Sequence, residues 1–260
     1  MTRATVGILG GMGPEATILL MQKVVAAVDA RDDADHVPLL VDQNPQVPSR
    51  IRFLLDRKGD DPGPVLAAMA ARLQRAGASA IAMPCNTAHH FAPSIRAAVS
   101  IPFLDMVALS VVRAVQRAGP AGPIGILASP AVRRIGLFDA PLATAGLKPL
   151  YADDEDAVLA AIRRIKAQGP DSEARAVLRS ASARLIERGA HVQMIACTEF
   201  SLIADAVAPG ADAFDTLDCL VEAIVRFSQD RGLRDGNRAS PSLAATAGMA
   251  HPDHLIQPEE

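Results

Sequence analysis

A chain of 260 residues, half of them apolar, has enough material for one or two soluble α/β domains with full cores. A formal charge of −3, no Trp and a single Tyr leave neither a basic stripe nor a set of stacking aromatics. Nucleic acid is therefore excluded as the expected partner, in favour of a small molecule.

Three cysteines with no secretory n-region and h-region argue against a disulfide framework and for a reducing, cytoplasmic setting. Val6 to Leu9 is only strand-length, and Pro14 and Glu15 break the apolar run, so neither a signal core nor a membrane span is expected. Thr5 to Leu9 reads as a buried strand entering Gly10-Gly11-Met12-Gly13, and Pro14 suits the first turn of a helix running to about Ala30. Val37 to Val41 is a second strand. Pro62 and Pro64 open a helix to Arg75, Ala80 to Met83 is a strand, Pro93 to Val99 a helix, and Pro102 to Leu104 a returning strand. Such alternation predicts a mainly parallel sheet.

At Pro123 the pattern restarts. Ile124-Gly125-Ile126-Leu127 echoes Val6-Gly7-Ile8-Leu9, helices follow near Asp153 to Lys166 and Asp171 to Arg188, and another strand leads to Cys197. The echoes lie 118 residues apart from Gly7 to Gly125 and 112 from Cys85 to Cys197, too long for a solenoid and right for a duplicated domain. The expected fold is α/β, with two similar Rossmann-like parallel-sheet lobes related by internal duplication and the active site in the cleft between them. Residues 1–108 make the first lobe and 109–205 the second. Residues 206–230, with a helix from about Leu217 to Ser228, pack back on the first lobe, and 231–260, rich in Gly, Ser, Ala and Pro, form a flexible tail.

Cys85 and Cys197 occupy matching addresses: Gly77-Ala78, an apolar run, then Cys85-Asn86-Thr87; and Gly189-Ala190, a similar run, then Cys197-Thr198-Glu199. Each strand ends on a thiol at the carboxyl edge of a parallel sheet, where open α/β folds bind ligands. Neither thiol has CxxC spacing or a nearby His/Cys set, so no metal is expected. Facing lobes would oppose the thiols, the arrangement that moves a proton across a carbon from opposite sides. Cys219, inside an amphipathic helical stretch, reads as core packing. His89 and His90 start a helix just after the first thiol, and one of them could reach the pocket, although exposed first-turn histidines are common.

Gly11-Met12-Gly13-Pro14-Glu15-Ala16 also satisfies the dinucleotide pattern G-x-G-x-x-[GA], with Asp42 where a ribose hydroxyl would be held. The short pattern arises in many Gly-rich strand-to-helix turns, whose N–H groups at Met12 and Gly13 can cradle a carboxylate as readily as a pyrophosphate. The small-anion cradle is the preferred reading and NAD the competing one.

Leu9-Gly10-Gly11-Met12-Gly13-Pro14-Glu15-Ala16-Thr17, Pro84-Cys85-Asn86-Thr87-Ala88-His89 and Cys197-Thr198-Glu199, taken in order, resemble the aspartate/glutamate racemase superfamily in its aspartate racemase branch, over about residues 4 to 228. Glu199 is similar to the aspartate racemase pattern, whereas glutamate racemases that feed cell-wall synthesis generally carry His there. The resemblance implies a cofactor-independent two-base racemase, with Cys85 and Cys197 exchanging protons with opposite faces of the substrate, and a homodimer. Asn86, Thr87 and Thr198 supply donors for the carbanion-like intermediate.

Other contacts implied by the resemblance carry over in part. Arg50 is kept but Ser49 replaces the Asp of an Asp-Arg pair. Lys166, one of four lysines, matches a family lysine near the substrate, against the alternative of a solvated helix end. Ser129 and Val132 stand where relatives usually have threonines, and losing the second hydroxyl would remove a carboxylate donor and alter substrate preference. The leading expectation is racemisation of aspartate or a related small amino acid. The alternatives are a cysteine-dependent isomerase or decarboxylase of a small dicarboxylate, an NAD-dependent oxidoreductase, and a non-catalytic ligand sensor.

Overall fold

The computed structural model describes residues 3–118 and 122–238, with side chains through 230. Among them, eight strands form two four-stranded sheets whose pairings are all parallel. In the first, β1 (Val6–Gly10), β2 (Leu39–Gln43), β3 (Ala80–Ala82) and β4 (Phe103–Leu104) are ordered β2-β1-β3-β4. In the second, β5 (Pro123–Leu127), β6 (Lys148–Tyr151), β7 (Val192–Ile195) and β8 (Asp212–Asp215) are ordered β6-β5-β7-β8. Counted from the start of each lobe, the two orders are the same, as a duplication requires.

The repeat extends to side-chain packing. A Cβ on Gly7 would lie 2.9 Å from Ala78 Cβ, 3.1 Å from Leu73 Cβ and 3.2 Å from Ile81 Cδ1. On Gly125 it would lie 2.9 Å from Gln193 Cγ, 3.1 Å from Leu185 Cδ1 and 3.4 Å from Ala190 Cβ. Leu73 and Leu185 end the helices Pro62–Arg75 and Ser172–Glu187, Ala78 and Ala190 follow the turns, and Ile81 and Gln193 pair directly with the two glycines. In each lobe a helix approaches the central strand so closely that only glycine fits there.

Helices cover both faces of each sheet, which is why the central strands are continuous apolar runs rather than alternating ones. Leu66, Met69 and Leu73 join Leu9, Ile81 and Met83 on one face of the first sheet, while Leu20 and Val24 join Val6 and Ile8 on the other. The second lobe repeats this with Val158, Ile162 and Leu178 on one face and Val111, Phe138 and Leu142 on the other.

Several boundaries differ from the sequence expectation. The first helix runs Pro14–Ala26 rather than to Ala30. Asp35 takes the N–H groups of Arg31 (2.9 Å) and Asp32 (3.1 Å), giving these donors local partners outside a helix. β2 begins at Leu39, after Pro38, which has no N–H to give a ladder. β6 was not expected because Pro149 interrupts it, but at the sheet edge the missing donor is tolerated.

The lobe boundaries shift as well. The helix Met106–Ala118 crosses the expected 108/109 division: Met106 packs in the first lobe, and Val107, Val111 and Ala114 pack in the second. Within 206–230, β8 belongs to the second sheet, because it pairs with β7. The segment that returns to the first lobe is the helix Thr216–Arg238, whose Leu217, Leu220, Val221 and Ile224 pack with Val6 and Ile8. This helix also continues past the expected start of the tail at 231. The remainder of that tail, 239–260, lies outside the described residues.

Candidate active site

Equivalent strands deliver the two thiols. Cys85 follows β3 and Cys197 follows β7, the third strand of each lobe, beyond the carboxyl ends of the sheets. Both are buried, and both line one cleft of about 620 Å³ bounded by elements of the two lobes.

The glycine loop forms one wall. Gly11 has φ +94, and a Cβ there would come within 2.4 Å of the Asn44 backbone, so no other residue fits. Thr17 Oγ1 accepts the Gly11 N–H (3.0 Å) and donates to the Gly13 carbonyl (3.3 Å), bracing the turn from inside. Met12 and Gly13 line the cleft. A Cβ on Gly13 would stand 3.7 Å from Glu199 Oε1 and 3.9 Å from Lys166 Nζ, which sets the loop directly against those side chains of the second lobe.

The opposite wall is polar and asymmetric. Cys197 Sγ donates to Glu199 Oε2 at 3.1 Å, and Glu199 Oε1 accepts from Lys166. Burial first, then the charge of Glu199 and its hydrogen bond, push the Cys197 thiol well above the usual cysteine range, with Lys166 pulling the other way. For Lys166, burial acts to lower the pKa, but the charge and hydrogen bond of Glu199, helped by both cysteines, hold it above the ordinary lysine value. Lys166 lines the cleft as the partner of Glu199 while its side chain stays partly exposed. Thr87 Oγ1 and Ser129 Oγ meet at 3.2 Å across the lobes. Ser129 starts the helix Pro130–Arg134 without spending its hydroxyl on a cap.

Arg50 lines the same cleft. Its Nη1 donates to the carbonyls of Val47 (3.2 Å) and Pro48 (3.0 Å), which stiffens the loop, while its Nε is buried without a protein partner. Ser49 caps the helix Arg50–Leu54 by accepting the Arg52 N–H at 3.3 Å, a task the Asp of relatives could also perform.

Some expectations fall elsewhere. Asn86 and Thr198 adjoin the thiols but do not line the cleft. The Asn86 amide reaches Thr216 at 2.9 Å, and Thr198 is buried at the start of a short helix. Val132 is in the apolar core of the second lobe, so a hydroxyl at that position would not face the cleft. His89 accepts the Met106 N–H on Nε2 (3.1 Å) and therefore donates from Nδ1 to the Cys85 carbonyl (2.9 Å). Burial lowers its pKa and keeps it neutral. His90 is exposed and packs edge-on against Phe91 at 5.0 Å. Neither histidine lines the cleft.

Asp42, the ribose acceptor of the NAD reading, is held by Arg72 through Nε (3.1 Å) and Nη2 (2.7 Å). Cys219 is core, and burial raises its pKa to about 11.

Sequence reasoning did not single out Arg52, Arg163 and Glu15, which also line the cleft. Arg163 precedes Lys166 by one helical turn on the helix Glu155–Gln168, a spacing that could have revealed it. Among the described residues there is no group of three or more His, Cys, Asp or Glu able to hold a metal, and no helix long and apolar enough to cross a membrane.

A duplicated α/β chain with one cysteine from each lobe in a shared cleft defines a narrow class of proteins. The family model described as Asp/Glu/Hydantoin racemase matches residues 9–224, and the chain belongs to that family. It is 25% identical over 227 residues to the broad-specificity amino-acid racemase RacX of Bacillus subtilis (strain 168), covering 85% of this chain and 96% of that protein. The fold is similar to that of Picrophilus torridus aspartate racemase, with a TM-score of 0.76, 24% identity and coverage of 87% and 94% of the two chains. An aspartate racemase homologue from Pyrococcus horikoshii OT3 gives a TM-score of 0.68, 19% identity and coverage of 88% and 100%.

Proposed function

We propose that the protein is a cofactor-independent amino-acid racemase in which Cys85 and Cys197 act as the two acid/base groups on opposite faces of the substrate. The observation that carries this reading is the placement of both thiols, at equivalent positions of duplicated lobes, in one cleft beside Lys166.

In one direction the Cys85 thiolate removes the α-proton while the Cys197 thiol delivers a proton to the other face. In the reverse direction the roles exchange. The resting state of Cys197 suits the donor role, because burial and Glu199 hold it as a thiol. Once it has given up its proton, the Lys166 ammonium offsets the thiolate charge. An α-proton is very weakly acidic, so charge developing on the substrate carboxylate needs fixed donors in a site shielded from water. The Met12-Gly13 loop, Thr87, Ser129 and Arg50 line the cleft and are the groups proposed for it. A small amino acid, aspartate included, is the proposed substrate, and a homodimer in the cytoplasm the proposed working form.

Incubation of each enantiomer of aspartate, glutamate and several neutral amino acids in deuterated water, followed by circular dichroism and mass spectrometry, tests the activity. Inversion with α-deuteration, abolished in Cys85→Ala and in Cys197→Ala, is expected; no exchange with any of them refutes the reading. Faster turnover of maleate or a substituted malonate would transfer the same thiols to isomerisation or decarboxylation. Calorimetry with NAD and NADP is expected to show no binding, since Asp42 is already engaged.

A further inference from the structure

Thr216 stands where the chain leaves the second sheet for the first lobe. Asp215 ends β8, and Leu217 is already buried with Val6, Ile8 and Leu20. Thr216 itself is fully buried. Its hydroxyl lies 3.0 Å from the carbonyl of Ile195, two residues before Cys197, and a carbonyl can only accept, so Thr216 donates there. What remains on that oxygen is acceptor capacity. The Asn86 amide, which meets it at 2.9 Å, must therefore present its NH2 group. This leaves Asn86 Oδ1, next in sequence to Cys85, buried and without a protein partner. Asp215 extends the junction: its Oδ1 accepts from Ser201 Oγ at 2.9 Å, in the short helix that follows Cys197, and from the Leu217 N–H at 2.8 Å.

We propose that Thr216 is a positioning residue for proton transfer. Its hydroxyl, bonded to Asn86 on one side and Ile195 on the other, fixes the two thiol turns relative to each other and decides which end of the Asn86 amide stays free. The inference rests on the two-cysteine reading above and assigns Thr216 no contact with substrate. The physical requirement is that two bases on different lobes must keep their separation across one carbon atom, although each belongs to its own sheet. A fully buried hydroxyl shared by both turns supplies that constraint where the chain crosses between the lobes.

Thr216→Val keeps the side-chain shape and deletes both bonds, while Thr216→Ser retains them. In the Val variant kcat is expected to fall about 10- to 100-fold, the scale of a small misplacement of reacting groups, with KM little changed. The Ser variant recovers most of the rate. A second measurement needs no turnover: alkylation of Cys85 by iodoacetamide, followed by peptide mass spectrometry, changes several-fold in Thr216→Val and stays at the wild-type rate in Thr216→Ser. Wild-type kcat and alkylation in the Val variant, or a loss shared equally by the Ser variant, overturns the proposal.

Should Thr216→Val not fold, Thr216→Ala, which deletes the same two bonds and adds no bulk, takes its place. The expected outcome is again a lower kcat with alkylation altered at Cys85, and wild-type behaviour in both overturns the proposal. If instead the racemase reading fails, the wild-type protein shows no α-exchange while the alkylation contrast persists. If only the Thr216 proposal fails, wild-type turnover stands and the contrast disappears.

Discussion

Glu199→Gln tests the asymmetry between the two thiols. The substitution keeps volume and an acceptor oxygen but removes the charge that faces Cys197 Sγ at 3.1 Å and pairs with Lys166. At an effective dielectric near 20, a unit charge about 4 Å away is worth about 4 kcal/mol. Lys166 stays in place in the variant, and water in the open cleft screens the Glu199 charge further, so about 1 to 2 kcal/mol of thiolate destabilisation is expected to disappear. That corresponds to roughly tenfold more Cys197 thiolate at neutral pH, at about 1.4 kcal/mol per factor of ten. Because a more acidic thiol is a weaker nucleophile, the rate of alkylation rises less, by about three- to fivefold. Iodoacetamide labelling between pH 6 and 8, resolved by peptide mass spectrometry into Cys85, Cys197 and Cys219, measures it. An unchanged or slower rate at Cys197 would refute the role given to Glu199. The same variant constrains the kinetics. Enantiomers have equal free energies, so kcat/KM must fall equally in both directions, and the unequal thiols can show only in the separate kcat and KM values and in deuterium washout.

Burial raises the Asp215 carboxyl to about 6, against the hydrogen bonds from Leu217 and Ser201 that act to lower it. Between an unfolded value near 4 and this folded value the native state holds a proton that the unfolded chain has released. Stability from this group is therefore complete below pH 4 and lost as pH rises through 6, by about 3 kcal/mol across the window. Thermal melts of wild type and Asp215→Asn from pH 4 to 8 should show the difference moving in favour of the variant as pH rises, whereas a constant difference would contradict the assignment. Gly7→Ala and Gly125→Ala should each lower the denaturant midpoint by the equivalent of about 1–3 kcal/mol, the scale of forcing a methyl into a packed core. An unchanged midpoint in either would contradict the close approach of helix to strand.

The fold was legible because its signals are periodic and repeated. Continuous apolar runs ending in glycine or cysteine turns mark buried parallel strands, and the paired Gly7 and Gly125 mark the duplication before any coordinate is known. What escaped is where side chains decide against pattern. The first helix stops at Ala26 and a capping box at Asp32 and Asp35 starts a separate short turn after it, and Pro149 conceals an edge strand. In the site, the motif residues that touch the cleft were visible as motifs. The direction in which Asn86 turns was not, because it depends on Thr216, 130 residues away in sequence. The neutral, doubly bonded state of His89 was hidden for the same reason, since Met106 supplies one of its partners.

Duplication explains why both thiols reach one cleft, but it does not make them equal. The residues after Cys85 are Asn86 and Thr87, which bring no charge; those after Cys197 are Thr198 and Glu199, and Glu199 recruits Lys166. A racemase tolerates this inequality, because equal substrate energies constrain only the whole reaction and not the resting proton on each sulfur. The departures from the aspartate racemase pattern sort themselves by the same structural logic. Val132 is enclosed in the core and Ser49 still caps its helix, so neither substitution dismantles the cleft. With Ser49 the loop loses a carboxylate next to Arg50, while Arg52 and Arg163 remain on the rim. That side of the cleft is therefore less negative than an aspartate at 49 would make it, and exchanging Ser49, Arg52 and Arg163 rather than the thiols or the glycine loop is the way to test discrimination among small amino acids.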